Sequence, residues 1–310
     1  MKCGVIALLG RPNTGKSSLI NALLKTRAAI VSPKPQTTRN AVRCIYNDNN
    51  SQIIFVDTPG LYIPANNKDR LGRFLADAAL NSLEDIDAVI WLVEAKFNKV
   101  TPEDLEAARA LNEIDKPVIL AINKVDEINN KFPAETSKIF ENLLTREVQY
   151  KIALSAKFNF NIDKLIEIIK DLMPEGEPWY DPDILMDTTE RFLAAEIIRG
   201  KILNLLRDEV PHCTAVEIEE YKSPEEFPVH DNSRGKLRER LYIRAALIVE
   251  TEGQKAILIG AKGRMIKKIG QSARAELEEI TGFKVYLDLW VKVALKWRQS
   301  DLILKRLGYA

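Results

Sequence analysis

Four short runs in the first 125 residues are apolar from end to end: Val5-Ile-Ala-Leu-Leu9, Ile53-Ile-Phe-Val56, Ala88-Val-Ile-Trp-Leu-Val93 and Pro117-Val-Ile-Leu-Ala-Ile122. A strand with one wet face alternates in polarity. These runs do not, so both of their faces must be buried, as in a parallel sheet covered by helices on either side. Segments with helical spacing fall between and after them, at 18–24, 68–82, 102–113, 135–146 and 161–172. The mixed stretch 41–47 is a candidate edge strand. Pro174-Glu-Gly-Glu-Pro178 then breaks the pattern. Beyond it the order changes to a long helix over 188–207, with Phe192, Ile197, Ile198, Ile202, Leu205 and Leu206 along one stripe, and strands near 213–221 and 241–250. A Gly-rich turn at 260–263, a basic helix over 264–279, a strand over 284–290 and a last helix over 294–307 follow. The expected fold is α/β: a doubly wound, mostly parallel sheet over 1–173, a linker over 174–187 and a smaller α+β domain over 188–310. A length of 310 residues suits two domains.

The first apolar run ends at Arg11 without a cleavage site. No run reaches the roughly 18 residues that span a bilayer. Cys3, Cys44 and Cys213 lack CxxC spacing and predict reduced thiols in a cytosolic protein. His212 and His230 are too few for an imidazole metal site, so any metal should have oxygen ligands.

Gly10-Arg11-Pro12-Asn13-Thr14-Gly15-Lys16-Ser17 fits GxxxxGK[ST], after a strand and before a helix that continues through Ser18. Glycines let the backbone wrap phosphates at the positive end of a helix. Lys16 is expected to reach the β- and γ-phosphates, and the Ser17 hydroxyl to ligate Mg²⁺. Asp57-Thr58-Pro59-Gly60 follows the second run: Asp57 would hold Mg²⁺ through water and the Gly60 N–H would meet the γ-phosphate. Asn123-Lys124-Val-Asp126 follows the fourth run. The Asp126 carboxylate can accept from the guanine N1–H and its 2-amino group together, donors that adenine lacks. Ser155-Ala156-Lys157 can bring a backbone N–H to the guanine oxygen. Four such loops, each at a strand's carboxyl end, predict a GTP/GDP site.

The first long loop must supply a threonine that closes onto Mg²⁺. Gln36-Thr-Thr-Arg39 offers Thr38 first and Thr37 second. Some enzymes of this kind place a water-orienting glutamine directly after the Gly60 position. Leu61 stands there and cannot polarise water, so unassisted turnover should be slow. The Asn13 side-chain oxygen is a candidate K⁺ ligand beside the phosphates, supplying positive charge. A plain turn asparagine is the bland alternative.

Gly260-Ala261-Lys262-Gly263 is weak alone. It lies between an Ile-rich segment and a basic helix, with two strands upstream, in the order of a type-2 KH module, where a GxxG turn presses against a nucleic-acid backbone. Residues 176–229 hold 5 Lys/Arg against 13 Asp/Glu, whereas 230–310 hold 17 against 9. The chain total of +1 conceals that basic excess of eight, an electrostatic footprint for nucleic acid. Lys262, Arg264, Lys267 and Lys268 cluster at the turn, and Arg234, Lys236, Arg238 and Arg240 form a second run. Trp290 and Trp297 are candidates for base stacking or for the core.

With these motifs in both halves, and with Leu289-Trp-Val-Lys-Val293 and the terminal Leu307-Gly-Tyr309, the chain resembles the Era family of bacterial ribosome-assembly GTPases over nearly its whole length. The resemblance implies a P-loop GTPase domain followed by a type-2 KH domain that binds the 3′ end of small-subunit ribosomal RNA. It also implies assistance to 30S subunit maturation, a monomer in the cytoplasm, and peripheral association with the inner membrane. A tRNA-modifying or other metabolic GTPase with a C-terminal protein-interaction domain is the competing expectation.

Overall fold

Successive side chains of β1 (Lys2–Leu9) enter two different cores, Val5, Ala7 and Leu9 on one face and Ile6 and Leu8 on the other. β4 (Ala88–Glu94) divides in the same way, with Val89, Trp91 and Val93 opposite Ala88, Ile90 and Leu92. The apolar runs therefore sit where their composition requires. The computed structural model describes residues 1–26, 34, 37–64, 69–96, 99–129, 133–226, 228–230 and 237–309, with the backbone alone over 228–230 and 237–239. Gln36, Arg234 and Lys236 lie outside the described residues, as does the Arg238 side chain. The chain divides into two units, Met1–Asp187 and Thr188–Ala310.

With β2 (Val42–Asn47), β3 (Ser51–Asp57), β5 (Val118–Asn123), β6 (Tyr150–Ala153) and β7 (Met186–Asp187), the first sheet has the order β6-β5-β4-β1-β3-β2-β7. β6, β5, β4, β1 and β3 run parallel, and β2 and β7 add antiparallel edges. Helices α1 (Lys16–Leu24) and α5 (Ile162–Leu172) bury Leu19, Ile20, Leu23, Leu165 and Ile169 in one core. On the other face α2 (Arg70–Asn81), α3 (Pro102–Glu113) and α4 (Ala134–Glu141) bury Ala79, Ala107, Leu111 and Phe140. The Phe140 ring meets Trp91 edge-on at 5.3 Å. α3 starts at Thr101, whose hydroxyl accepts from Asp104 N while the Asp104 carboxylate accepts from Thr101 N, with Pro102 at the first helical position. α4 stops at Glu141 rather than 146. Asn112 of α3 takes the next backbone groups, donating to Leu143 O at 3.1 Å and accepting from Thr145 N at 2.9 Å.

Residues 174–187, read from sequence as a linker, are tied along the first sheet. Cys3 N donates to Pro174 O and Ile45 N to Leu185 O, both at 2.9 Å, and Met186–Asp187 pairs with Arg43–Cys44. Gln52 is buried to 2% exposure, and its carboxamide makes four hydrogen bonds. It donates to Asn47 Oδ1 and Tyr180 O and accepts from Trp179 N and Tyr180 N. Each contributes about 1 kcal/mol net, and each buried partner would cost more if left unbonded.

The second unit sets α6 (Glu190–Leu205) and α8 (Arg264–Thr281) against a sheet of β11 (Lys284–Val293), β10 (Leu237–Val249) and β8 (Ala215–Lys222), with β9 (Pro228–His230) paired to β10 and α7 (Glu252–Ile259) preceding the glycine turn. β10 lies parallel to β11 and antiparallel to β8. Ile197, Ile198 and Ile202 of α6 meet Leu258, Ile269, Ala273 and Leu277 in one core. The continuous final helix expected over 294–307 is broken. Lys296 takes a left-handed φ of 53°, and Ser300 caps a shorter α9 (Asp301–Arg306). Trp297 is fully buried and its indole N–H donates to Cys213 O at 2.9 Å, so it belongs to the core rather than to a stacking surface. Cys3, Cys44 and Cys213 are all buried free thiols.

Candidate functional site

Because the inner strands of the first sheet are parallel, β1, β3, β5 and β6 all deliver their following loops to one edge, where ligands of such sheets bind. The loop after β1 closes around Gly15 (φ 98°), which caps α1 and has no room for a side chain: a Cβ there would lie 2.4 Å from Asn123 Nδ2. Lys16 opens α1 with its ammonium folded back to donate to Gly10 O at 2.9 Å and Arg11 O at 3.1 Å. Burial pushes its pKa down to about 8, with Asp57 pulling in the other direction. A buried ammonium resting on loop carbonyls at a helix N-terminus is arranged for an anion. Thr14 Oγ1 donates to Arg11 O and the Thr58 hydroxyl to Leu8 O, which holds the loop to the strands behind it. Ser18, the third residue of α1, is half-buried, and Pro59 is buried beside Gly60.

Ser17, Thr38 and Asp57 converge. Ser17 Oγ lies 2.9 Å from both Asp57 Oδ2 and Thr38 Oγ1, and Thr38 Oγ1 donates to the same carboxylate oxygen at 3.3 Å. Two hydroxyls and a carboxylate form a hard, all-oxygen donor set beside Lys16, and that chemistry fits Mg²⁺. Thr37 turns away and donates to Lys34 O at 2.7 Å. Gly60 packs directly on the phosphate loop, since a Cβ there would stand 2.6 Å from Pro12 Cα. Leu61 donates its N–H to Gly10 O at 3.1 Å, and its side chain is buried in the sheet core. Asn13 is exposed at a left-handed φ of 67°.

On the other side of the loop, Asn123 is spent on the protein itself. Its Nδ2 donates to Thr14 O at 2.8 Å and its Oδ1 accepts from Ala156 N at 3.0 Å, so one side chain joins three loops. The Ser155 hydroxyl donates to Asp126 Oδ1 at 2.6 Å and orients that carboxylate. Lys157 sits 5.0 Å from the ring of Phe158, itself 64% exposed. Lys124 donates to Asn13 O and to Glu94 Oε1, both at 2.7 Å, and Arg11 pairs with Glu94 Oε2 at 3.3 Å. Sequence reading did not single out Glu94. The available signal was an acid closing an otherwise apolar strand.

In the second unit the Gly260–Gly263 turn stands between α7 and α8. Gly260 (φ 69°) is crowded, since a Cβ there would lie 2.8 Å from Met265 Cβ; Gly263 (φ 73°) has open space and caps α8. Lys262 takes φ 52° between them. Ala261, Lys262, Arg264, Lys267 and Lys268 are all exposed, and α8 carries no acid in its first turn. Among the described residues no ion pair holds Lys262, Lys267 or Lys268. Trp290 is half-buried and donates to Glu219 Oε2 at 2.8 Å.

A family model described as a 50S ribosome-binding GTPase matches residues 5–124, and one described as a KH domain matches residues 209–298. The GTPase Era of a Thermoanaerobacter species is 44% identical over 309 residues, covering 100% of this chain and 97% of the relative. The GTPase Era of Thermotoga maritima is 45% identical over 313 residues, covering 99% and 97%. A crystal structure of an alanine variant of Aquifex aeolicus Era bound to GDP·AlF4⁻ is 39% identical, with a TM-score of 0.91 over 100% of both chains. A crystal structure of Era in complex with MgGDPNP and nucleotides 1506–1542 of 16S ribosomal RNA is 40% identical, with a TM-score of 0.89 over 100% of this chain and 99% of that one.

Proposed function

This chain belongs to the Era family of GTPases, and we propose that it is a GTP-hydrolysing switch that binds the 3′ region of 16S ribosomal RNA and assists 30S subunit assembly. The family model for residues 5–124 speaks of the 50S particle. The full-length relative that carries 16S RNA also aligns with the second unit, so the small subunit is the better-supported partner. One chain holding an oxygen triad beside a buried lysine and also an exposed, cation-ringed GxxG turn is the observation that carries this function.

In this reading the loop amides and Lys16 grip the triphosphate, and Asp126, oriented by Ser155, selects guanine. The Ala156 and Lys157 region supplies an N–H to the guanine oxygen. Ser17 and Thr38 with Asp57 would hold Mg²⁺, which neutralises charge on the β- and γ-phosphates. Gly60 presents its N–H to the γ-phosphate. Leu61 cannot orient water, and the Asn13 side-chain oxygen would hold K⁺, which would supply positive charge beside the phosphates. Hydrolysis equally fast in NaCl and KCl would remove Asn13 from that role. Gly260, Ala261, Lys262 and Gly263 meet the RNA backbone, with Arg264, Lys267 and Lys268 on its phosphates.

The protein acts as a monomer in the cytoplasm, with peripheral contact to the inner membrane. Among the described residues no helix is long and apolar enough to cross a membrane. Each ligand shifts such a switch only by its differential affinity for the two states. The test measures affinity for an RNA ending in the small-subunit 3′ sequence, with a non-hydrolysable GTP analogue and with GDP. Tighter RNA binding with the analogue is expected, and equal affinities would reject the switch.

A further inference from the structure

Glu94 ends β4 directly opposite Asn123 at the end of β5, and that register sets its carboxylate between two cations of different loops. Oε1 accepts from Lys124 Nζ at 2.7 Å and Oε2 faces Arg11 Nη2 at 3.3 Å. Lys124 Nζ in turn donates to Asn13 O at 2.7 Å, next to the Thr14 carbonyl held by Asn123 at 2.8 Å. Adjacent residues of one loop thus bind adjacent carbonyls of the other. Their anchorage differs. Asn123 is buried, has two side-chain torsions and is fixed at its far end by Ala156 N. Lys124 carries a four-carbon stem whose ordering is entropically costly, and its side chain is 32% exposed. An amine on such a stem stays on a loop carbonyl only if something else holds it.

We propose that Glu94 is a positioning residue of the nucleotide site. By fixing the Lys124 ammonium and the Arg11 guanidinium at once, it keeps the phosphate loop in register with the loop that reads the base. This rests on the guanine-nucleotide reading of the site given above. A purely electrostatic role has the opposite sign, because a carboxylate near a polyphosphate repels it and its removal would tighten binding. The Arg11 guanidinium and the Lys124 ammonium already neutralise the Glu94 carboxylate that pairs with both, so little negative charge is left to repel a polyphosphate and the geometric role dominates.

The experiment follows release of a fluorescent GDP from the full chain carrying Glu94→Gln, Lys124→Met or both, with thermal unfolding of each nucleotide-free protein alongside. Glu94→Gln keeps shape and one acceptor but loses the charge, and it turns an amide N–H₂ toward Arg11. Each single change should speed release about tenfold, the worth of one charge-assisted hydrogen bond, and the double change no more than the larger single. Unchanged or slower release in Glu94→Gln, or effects that multiply in the double variant, overturns the assignment. A lowered unfolding midpoint with normal release does so too, since it leaves Glu94 merely structural. If the unsubstituted protein binds no GDP, the nucleotide reading itself falls and this role falls with it.

Discussion

At the edge of the first sheet the functional side chains are bonded to one another across loops: Ser17 to Thr38 and Asp57, Asn123 to Thr14 and Ala156, Lys124 to Asn13 and Glu94. Around the Gly260–Gly263 turn Lys262, Lys267 and Lys268 stand exposed and, among the described residues, outside any ion pair, while Arg264 Nε donates to Ala261 O at 3.3 Å. One region is preorganised by mutual contact, so each group has a fixed place and its loss cannot be shared. The other is a field of like charges over a turn of unusual φ, so its members are interchangeable and act through summed potential. Interlocked sites should respond steeply and non-additively to substitution. Charged faces should respond shallowly, additively and with strong salt dependence.

The largest break expected is Lys16→Ala. Removing the buried Lys16 ammonium should lower GTP turnover by about 10²–10³-fold in a phosphate-release assay. Next comes the pair Thr38→Ala and Thr37→Ala. Thr38 bonds to Ser17 and Asp57, so its loss should exceed the roughly tenfold typical of residues that merely orient a metal ligand, read as Mg²⁺-dependent hydrolysis. Thr37→Ala should stay within about twofold on the same principle, since the Thr37 hydroxyl donates to Lys34 O. A larger effect at Thr37 would break the geometric distinction.

Proton linkage sharpens the same side of the comparison. Burial lowers the pKa of Lys16 to about 8, so above that pH the amine is neutral and binding a polyphosphate must take up a proton. Affinity for GDP should be flat below about pH 8 and fall above it, by at most tenfold per pH unit, measured by calorimetry in two buffers of different ionisation enthalpy. Smallest are the single changes Lys262→Ala, Lys267→Ala and Lys268→Ala. Each should weaken RNA about two- to threefold, add to the others, and reduce the salt slope by about one in filter binding. A hundredfold loss at any one of them would make that face an interlocked site as well.

Much of the nucleotide edge was legible because each motif is local and each sits at the end of an unmistakable apolar run. The GxxG turn was legible more by context than by itself, through the flanking elements and the hidden charge segregation. What stayed illegible depended on partners far away in sequence. Gln52 clasps Trp179 and Tyr180, so 174–187 lies along the sheet although its prolines read as a free connector. Asn112 ends α4 early through Leu143 and Thr145. Trp297 was ambiguous between base stacking and core until Cys213 O took its indole N–H.

Composition and spacing alone determined that the first half is a helix-covered parallel sheet with the motifs of a GTP/GDP site in its loops. Both follow from local rules, namely burial of two-faced apolar strands and the chemistry of a few side chains at set offsets. Only the tertiary structure set Thr38 against Ser17 and Asp57 and Thr37 on Lys34 O, spent Asn123 on the protein, and set Glu94 between Arg11 and Lys124. Those choices depend on which side chains from distant strands arrive within about 3 Å of each other, and hydrogen bonds are too short-ranged for sequence spacing to specify that.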